Sequence, residues 1–224
     1  MLIERRPLRD DIRDALLRLL FTGQLEPASN INEAELCRQL GVSRTPLREA
    51  LLMLEQEGLL ESQTNRGWWV TPLSVDVVGE IYPILAALEA LALQSSDLAL
   101  LTAAAKDLER INKELLACSD VAEAEVLDDR WHARLMQHCA NVRLLAMIEG
   151  LKRLAHRYEV AYAAECWDVS VSARQHAAIT SALKQSDLPA ALRALQANWD
   201  QAREALTEWL TNQLDKPSDE GLAS

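Results

Sequence analysis

The sequence predicts a mainly α-helical protein built from a helix-turn-helix, a small β-hairpin and an all-α antiparallel helical bundle. Two short amphipathic segments flank a tight turn at residues 41–43, which is the pattern of a helix-turn-helix. Two strand-like segments then flank a polar turn over residues 59–71. From residue 79 to residue 213 the apolar residues keep the spacing of helices, and no strand pattern returns.

Charge divides the chain in the same place. Residues 1–73 carry nine Arg and eleven acidic residues, whereas the remainder carries 14 basic and 23 acidic residues. We therefore expect a first domain over 1–73, a linker over 74–78, an all-helical domain over 79–215 and a disordered tail over 216–224. Because the first domain is not basic overall, any binding of nucleic acid must rely on locally clustered arginines.

The N-terminus and the cysteines indicate the compartment. Charged residues from Glu4 to Asp11 stand where a signal peptide would have an apolar core, and no stretch reaches the uninterrupted apolar length of a membrane span. The four cysteines form no Cys-x-x-Cys pair, so no disulfide framework is predicted. We expect a cytoplasmic protein without a membrane partner.

The first helix is predicted over residues 8–22, where Ile12, Leu16 and Leu19 share one face and Gly23 follows as a stop signal. A loop over residues 24–30 comes next. Asn30 or Asn32 can then cap a short helix that ends at Leu40.

The second helix of the pair is predicted from Ser43 to about residue 57. Ser43 can cap it, and Pro46 falls in the first turn, where its missing N–H would have had no partner. A stripe at i, i+3, i+4 and i+7 is apolar and predicted to be buried: Leu47, Ala50, Leu51 and Leu54. The other face presents Arg44, Thr45 and Arg48, which is where a recognition helix contacts bases in the major groove. Arginines that stand alone on a helix are more often simply solvated.

The hairpin over residues 57–72 supplies the context that isolated arginines lack. Gly58 ends the helix and Pro72 closes the second strand, so the segment reads as the wing of a winged helix-turn-helix. Gly67 lets the backbone at the tip approach phosphate or a minor groove closely. The predicted DNA contacts are Ser43, Arg44, Thr45, Pro46, Arg48, Asn65, Arg66 and Gly67.

The segments that carry a family resemblance run in order over residues 8–73: 23–27, Glu35-Leu36, 40–51, 57–59 and 65–67. They resemble the winged-helix domain of the GntR family of bacterial transcription regulators. The resemblance implies a sequence-specific DNA-binding regulator that acts as a homodimer on a double-stranded DNA operator. Such a dimer reads two half-sites.

Six helices are predicted for the second domain. The first starts at residue 76 and follows an apolar pattern to residue 92, and the others cover residues 97–118, 120–139, 141–165, 170–184 and 187–213. Pro83 lies inside the first of them and predicts a kink there or a restart of the helix.

Three polar residues of this domain suggest a metal site. Asp128 and His132 are four residues apart on one helix, and His176 lies on the next-to-last helix. Helical bundles build metal sites from inward-pointing side chains of facing helices, so these residues form a plausible part of a site for a divalent metal. On spacing alone, an Asp and a His in this relation more often form a surface hydrogen bond.

A second resemblance bears on this site, and its residues are 128–135, 141–144, 175–179, Asp187 and Ala191. They resemble the FCD ligand-binding domain of the FadR-type subgroup, many members of which hold a divalent metal such as Zn or Ni with one Asp and three His. The metal helps these members bind a small carboxylate. Carried over, Asp128, His132 and His176 match three ligands, and Asn198 stands at the fourth. Leu85 stands where members usually have an Arg.

These resemblances imply a repressor whose helical domain binds a small-molecule effector, with Arg134, Arg157 and Trp199 as candidate pocket residues. Two alternatives stay open. Asn198 and Leu85 favour a regulator that senses an apolar ligand by shape without metal. A metal-dependent enzyme that uses the Asp and His residues for hydrolytic or lyase chemistry is disfavoured by the fused DNA reader and the lack of a general base.

Overall fold

The computed structural model describes residues 7–214, with Leu214 described by its backbone alone. The chain forms two compact units, of which the first ends at Leu73 and the second begins at Ser74. The mainly α-helical class is confirmed. The tail expected over residues 216–224 lies outside the described residues.

Between residues 7 and 214 the elements are, in order, α1 (Leu8–Phe21), β1 (Asn30–Ile31), α2 (Glu33–Leu40), α3 (Arg44–Gln56), β2 (Leu60–Gln63), β3 (Gly67–Val70), α4 (Val75–Gln94), α5 (Leu98–Ala117), α6 (Val121–Met136), α7 (Val142–Cys166), α8 (Val169–Lys184) and α9 (Leu188–Leu214).

In the first unit, α1 packs against α3 and fixes the helix-turn-helix. The predicted apolar stripe of α3 is completely buried, as expected for the inward face of an amphipathic helix. Asn32 caps α2, because its side chain accepts a hydrogen bond from the backbone N–H of Glu35 at 3.1 Å. Gly41 ends α2 in the left-handed conformation, with φ 67°. Ser43 occupies the N-cap position of α3, but its side chain makes no capping hydrogen bond.

The predicted hairpin is confirmed, and it belongs to a three-stranded antiparallel sheet of order β1-β3-β2. The sequence did not predict β1, which spans two residues and pairs Asn30 with Trp69 and Ile31 with Trp68. A strand this short cannot show the alternation by which strands are recognised. The Asn30 side chain adds to the pairing by donating to the backbone carbonyls of Arg66 and Trp68.

The second unit is a helical bundle in which α4 packs on α7 and α9, while α5 packs on α6 and α8. Helices α8 and α9 also pack closely together. Large apolar side chains fill the centre, among them Leu93, Leu101, Leu108, Trp131 and Tyr158, each at most 1% exposed. Helices from different parts of the sequence therefore meet around one core.

Two details of α4 differ from the prediction. The linker expected over residues 74–78 is absent, because Ser74 caps the helix by accepting from the backbone N–H of Asp76 at 3.2 Å and α4 begins at Val75. The helix also continues through Pro83 without a restart. Pro83 and Gly79 are both exposed, so the Gly79 carbonyl that lacks an N–H partner can be hydrated.

In the part of the chain that the structure describes, no single helix is long and apolar enough to cross a membrane. Helices α4 and α5 meet the criteria of length and composition only as a pair, and the pair is bent by 116°.

Candidate functional site

The N-terminal end of α3 forms an exposed polar surface in the first unit. Arg44, Thr45 and Arg48 are exposed, as is Ser43 before them, while Pro46 is half-buried. The buried face of α3 points at α1, so the opposite face carries these side chains by the periodicity of the helix. The structure therefore brings together the side chains that the sequence assigned to the recognition helix.

Arg48 is paired in a way that the sequence did not predict. Its Nε donates to Oε2 of Glu33 at 2.7 Å, and its Nη2 donates to Oε1 of the same carboxylate at 3.2 Å. This hydrogen-bonded, charged contact raises the pKa of Arg48. Glu33 is the first residue of α2, so its side chain holds the guanidinium across the turn of the helix-turn-helix.

The wing carries the other predicted cation. Asn65 and Gly67 have φ values of 64° and 79°, so both flank Arg66 in the left-handed region that tight turns require. Within residues 7–214, the side chains of Arg66 and Arg44 form no ion pair. Both cations are thus available to phosphates without breaking an ion pair, whereas Glu33 already engages two of the five N–H donors of Arg48.

In the second unit, α6 and α8 bring the predicted metal ligands together. Candidate ligand atoms of Asp128, His132 and His176 all lie within 4.8 Å of one another. The Nε2 atom of His176 is 3.6 Å from Oδ1 of Asp128, and Nε2 of His132 is 4.0 Å from Oδ2. Two helices thus converge on one carboxylate.

The second nitrogen of each imidazole is already engaged. Nδ1 of His132 lies 2.9 Å from Oε2 of Glu89 on α4, and Nδ1 of His176 lies 3.3 Å from Oδ1 of Asn112 on α5. Hydrogen bonds of this kind fix the tautomer and orientation of a metal-binding imidazole and leave Nε2 for the metal. Sequence reasoning missed both Glu89 and Asn112, since neither stands near the histidines along the chain.

Glu89 is completely buried and serves two partners. Trp199 donates its indole Nε1 to the same Oε2 atom that faces His132, at 2.9 Å. Burial alone would raise the pKa of Glu89, but the charge and hydrogen bond of His132 and the charge of Lys152 lower it. Glu89 is therefore an ionised buried group that depends on its neighbours.

The residues of the cluster fit a divalent cation. Nε2 of His176 and Oδ1 of Asp128 are buried, and neither has a hydrogen-bond partner among the described residues. Burial lowers the pKa of His176 well below its ordinary value, so the imidazole is neutral, which is the form that binds metal. Unpartnered buried polar atoms are rare in folded proteins, and a bound cation would satisfy both of these.

Asn198, the residue at the fourth ligand position, lies beside this cluster. It is 7% exposed, and its amide nitrogen donates to Oε1 of Gln175 at 2.8 Å. Donation by the nitrogen leaves the amide oxygen as the atom that can offer a lone pair, although amide oxygen suits Zn or Ni less well than imidazole does. Leu85, which stands at the position where an arginine is expected, is completely buried. Helix α4 contains no Lys or Arg that could replace it.

A cavity of about 170 Å³ adjoins the cluster. Asp128, His132, Asn198 and Trp199 lie in its wall together with residues of α7 and α8. Trp199, a candidate pocket residue, thus lines a cavity next to the cluster.

The two candidate arginines do not line this cavity. Arg134 faces elsewhere and donates to Oδ2 of Asp107 at 2.8 Å, and Arg157 is buried in the bundle at 7% exposure. A residue's position along a helix does not say which neighbour its face meets, so the sequence could not place either arginine relative to this cavity. The cation that lines the cavity is Lys152, whose Nζ is 2.9 Å from Oδ1 of Asp129.

Comparison with known proteins gives two family matches. Residues 8–70 match the family described as bacterial regulatory proteins, gntR family. Residues 80–209 match the FCD domain.

Individual relatives align over nearly the whole chain. The Nta operon transcriptional regulator of Aminobacter aminovorans is 32% identical over 204 residues, which are 85% of this chain and 94% of that protein. The HTH-type transcriptional repressor RspR of Escherichia coli (strain K12) is 26% identical over 91% of this chain and 90% of its own length. A solved structure of a GntR family transcriptional regulator from Pseudomonas syringae pv. tomato str. DC3000 is similar with a TM-score of 0.56 and 27% identity, over 92% of this chain and 87% of that one.

Proposed function

The chain belongs to the GntR family of bacterial transcription regulators, with an FCD domain behind its DNA-binding domain, and from that membership we propose that it is a metabolite-responsive repressor. It is a transcription regulator and not an enzyme. The name of one relative, a transcriptional repressor, supports the direction of control. Because the protein acts on DNA, we expect it to work in the cytoplasm.

DNA recognition is proposed to rest on the exposed end of α3 and on the wing. Arg48 would read a base in the major groove, since an arginine can donate two hydrogen bonds to guanine. Arg44 and Arg66, which have no ion pair in the described chain, would contact phosphates or the minor groove. A homodimer would place two such surfaces on two half-sites of an operator.

The second unit is proposed to hold a divalent metal with Asp128, His132, His176 and, as a weaker fourth ligand, Asn198. The observation that carries this proposal is the pair of buried, unpartnered atoms on Asp128 and His176. A bound metal would supply a Lewis-acidic centre for oxygen atoms of the effector. The protein itself orients these ligands. Glu89 holds His132, and the side-chain amide of Asn112 holds His176, in each case through Nδ1 of the imidazole.

Native mass spectrometry together with elemental analysis of the purified full chain tests this proposal. We expect a dimer with one metal per chain, and we expect His176→Ala to lose the metal. His138→Ala is the matched control, because His138 lies on the same helical domain but outside the cluster. A dimer that stays metal-free after incubation with Zn and with Ni would overturn the metal site.

A metal-free sensor that recognises its ligand by shape is the second candidate. Asn198 and the buried Leu85 favour it, because the site lacks one imidazole and one arginine. In either case the effector must have different affinities for the conformation that binds DNA tightly and the one that binds it weakly. An effector with equal affinity for both would not change operator binding. A gel shift with DNA from upstream of the protein's own gene, with and without a bound ligand, tests that switching. Ligands that stabilise the helical domain but leave operator affinity unchanged would refute it.

A further inference from the structure

The wall of the cavity is rich in carboxylates. Five of them line it: Glu125, Asp128, Asp129, Glu159 and Asp168. Lys152 is the one lysine in the wall and no arginine lines it, as far as the described residues go. That lysine is already paired with Asp129 at 2.9 Å. The cavity wall therefore holds more acidic than basic side chains, and its lysine is already paired.

Two of the carboxyl groups, Glu125 and Glu159, form no ion pair with a lysine or arginine within residues 7–214. Glu159 accepts a hydrogen bond from the Tyr82 hydroxyl at 3.2 Å and has His156 Nδ1 3.9 Å away, an imidazole whose pKa burial lowers. Oε1 of Glu125 is buried without a hydrogen-bond partner among the described residues. Burial raises the pKa of Glu159 to about 8, with the carboxylates of Asp129 and Asp128 adding to the rise and the charge of Lys152 opposing it, and burial raises the pKa of Glu125 to about 7. Both groups therefore keep much of their proton at neutral pH, and a cation bound beside them would favour the ionised form.

The rest of the wall is apolar and aromatic. Tyr162, Trp167 and Trp199 contribute rings, and Val171 and Leu206 contribute aliphatic surface. Aromatic rings attract cations through their negative faces, and they pack well against apolar groups. At about 170 Å³ the cavity is also smaller than the roughly 300–1,000 Å³ typical of drug-sized ligands. It is therefore suited to a small ligand with an apolar body.

The cavity also adjoins the proposed metal cluster, because Asp128, toward which the buried Nε2 of His176 points, lies in the cavity wall. Glu125 lines the cavity itself, and its buried Oε1 has no hydrogen-bond partner among the described residues. This Oε1 atom indicates that the pocket is completed by a bound group with a hydrogen-bond donor.

From the excess of carboxylates and the aromatic wall, we propose that the effector carries a cationic amine on a small apolar body. The ammonium group lies between Glu125 and Glu159, and the body packs against Tyr162, Trp167 and Trp199. This inference rests on the proposed function, in which the cavity is the effector site. The inferred ligand is thus opposite in charge to a simple carboxylate. The class includes amines that also carry an oxygen atom able to bind a metal.

Three probes with the same phenyl body and different head groups test the charge of the ligand. Phenethylamine is cationic, 2-phenylethanol is neutral and 3-phenylpropionate is anionic at neutral pH. Isothermal titration calorimetry on the full-length protein should show the amine binding at least roughly tenfold more tightly than the other two, because only it can pair with the two glutamates. Equal or tighter binding of the alcohol or the anion would overturn the amine proposal and leave the effector site intact.

Variants locate the interaction. Glu159→Gln and Glu125→Gln should each weaken phenethylamine binding by about tenfold and leave 2-phenylethanol binding unchanged. Glu149→Gln is the matched control, because Glu149 is an exposed carboxylate on α7, the helix that carries Glu159. Unchanged amine affinity in both cavity variants, or binding of none of the three probes, would overturn the proposal. Operator binding and metal content, measured on the same preparations, decide separately whether the proposed regulator function holds.

Discussion

The two units of this protein place their functional charges in opposite environments. The DNA-binding unit displays Arg44, Arg48 and Arg66 on its surface, while the helical unit buries Glu89 and His176 completely. An exposed charge keeps its water when a partner is removed, but a buried one does not. We therefore expect substitutions in the first unit to change DNA affinity with little effect on stability, and substitutions in the second to change stability and ligand binding together.

The largest expected effect is that of Glu89→Ala. The substitution leaves Nδ1 of His132 and Nε1 of Trp199 without their buried partner. Breaking a buried charged network from one side costs about 3–5 kcal/mol, so the free energy of unfolding of the second unit should fall by that order. Urea unfolding followed by tryptophan fluorescence measures it.

Two companions calibrate this result. Glu89→Gln keeps one acceptor oxygen and should lose less stability than the alanine variant. Glu80→Ala removes an exposed carboxylate from the same helix and should stay within about 0.5 kcal/mol of the parent. If the three variants unfolded alike, Glu89 would not be the centre of the network, and the contrast between the units would fail.

Arg48→Ala tests the other side of the contrast. Loss of a bidentate contact with a base should lower specific DNA affinity by about 1–3 kcal/mol. Stability should change little, because the Arg48 side chain is exposed and its pair with the half-buried Glu33 lies at the surface. Gel shifts with the operator and with a scrambled sequence measure the two affinities. A parallel loss on both sequences would assign Arg48 to a phosphate instead of a base.

Asn198→His is expected to strengthen metal binding in the second unit. Asn198 lies beside Asp128 and His132 in the cavity wall, and imidazole is a better ligand for Zn or Ni than an amide oxygen. Affinity should rise by roughly tenfold or more, as measured by competition with a chromophoric chelator. Gln196→His, which puts an imidazole on the exposed side of the same helix, is the control. Equal affinities in both variants would show that position 198 does not face the metal.

The contrast also explains how much the sequence could predict. The recognition helix and wing come from one continuous stretch, so periodicity, Gly58 and the turn residues were enough to place them. The two-residue strand β1 was missed because it exists only through its partner β3.

The candidate metal cluster of the second unit was predicted only in part. Asp128 and His132 share a helix, His176 was proposed from a facing helix of the bundle, and the resemblance added Asn198. Their supporting partners come from helices distant along the chain, as Glu89 on α4 and Asn112 on α5 show. No local pattern marks such residues, since burial and partner identity arise only when the bundle packs. Arg134 and Arg157 lie outside the lining of the cavity, because position along a helix does not specify which neighbour a side chain faces.

The smallest expected effect is a pH dependence set by Glu159. Its pKa is raised from the ordinary 4.5 to about 8, chiefly by burial, so the folded protein holds a proton that the unfolded chain has released. Between these two values the folded state binds more protons than the unfolded state, and stability falls as pH rises.

Glu159→Gln removes this titration and keeps an oxygen that can accept from Tyr82. Relative to the parent, the variant should therefore gain stability between pH 5 and pH 9, by about 1 kcal/mol or less because the side chain is partly exposed. Urea midpoints at the two pH values measure the gain, with Glu149→Gln as control, and identical pH profiles for parent and variant would show that Glu159 is ionised in the folded protein at neutral pH. In that case a positive charge already compensates the Glu159 carboxylate, and no uncompensated carboxylate is left there for an ammonium group.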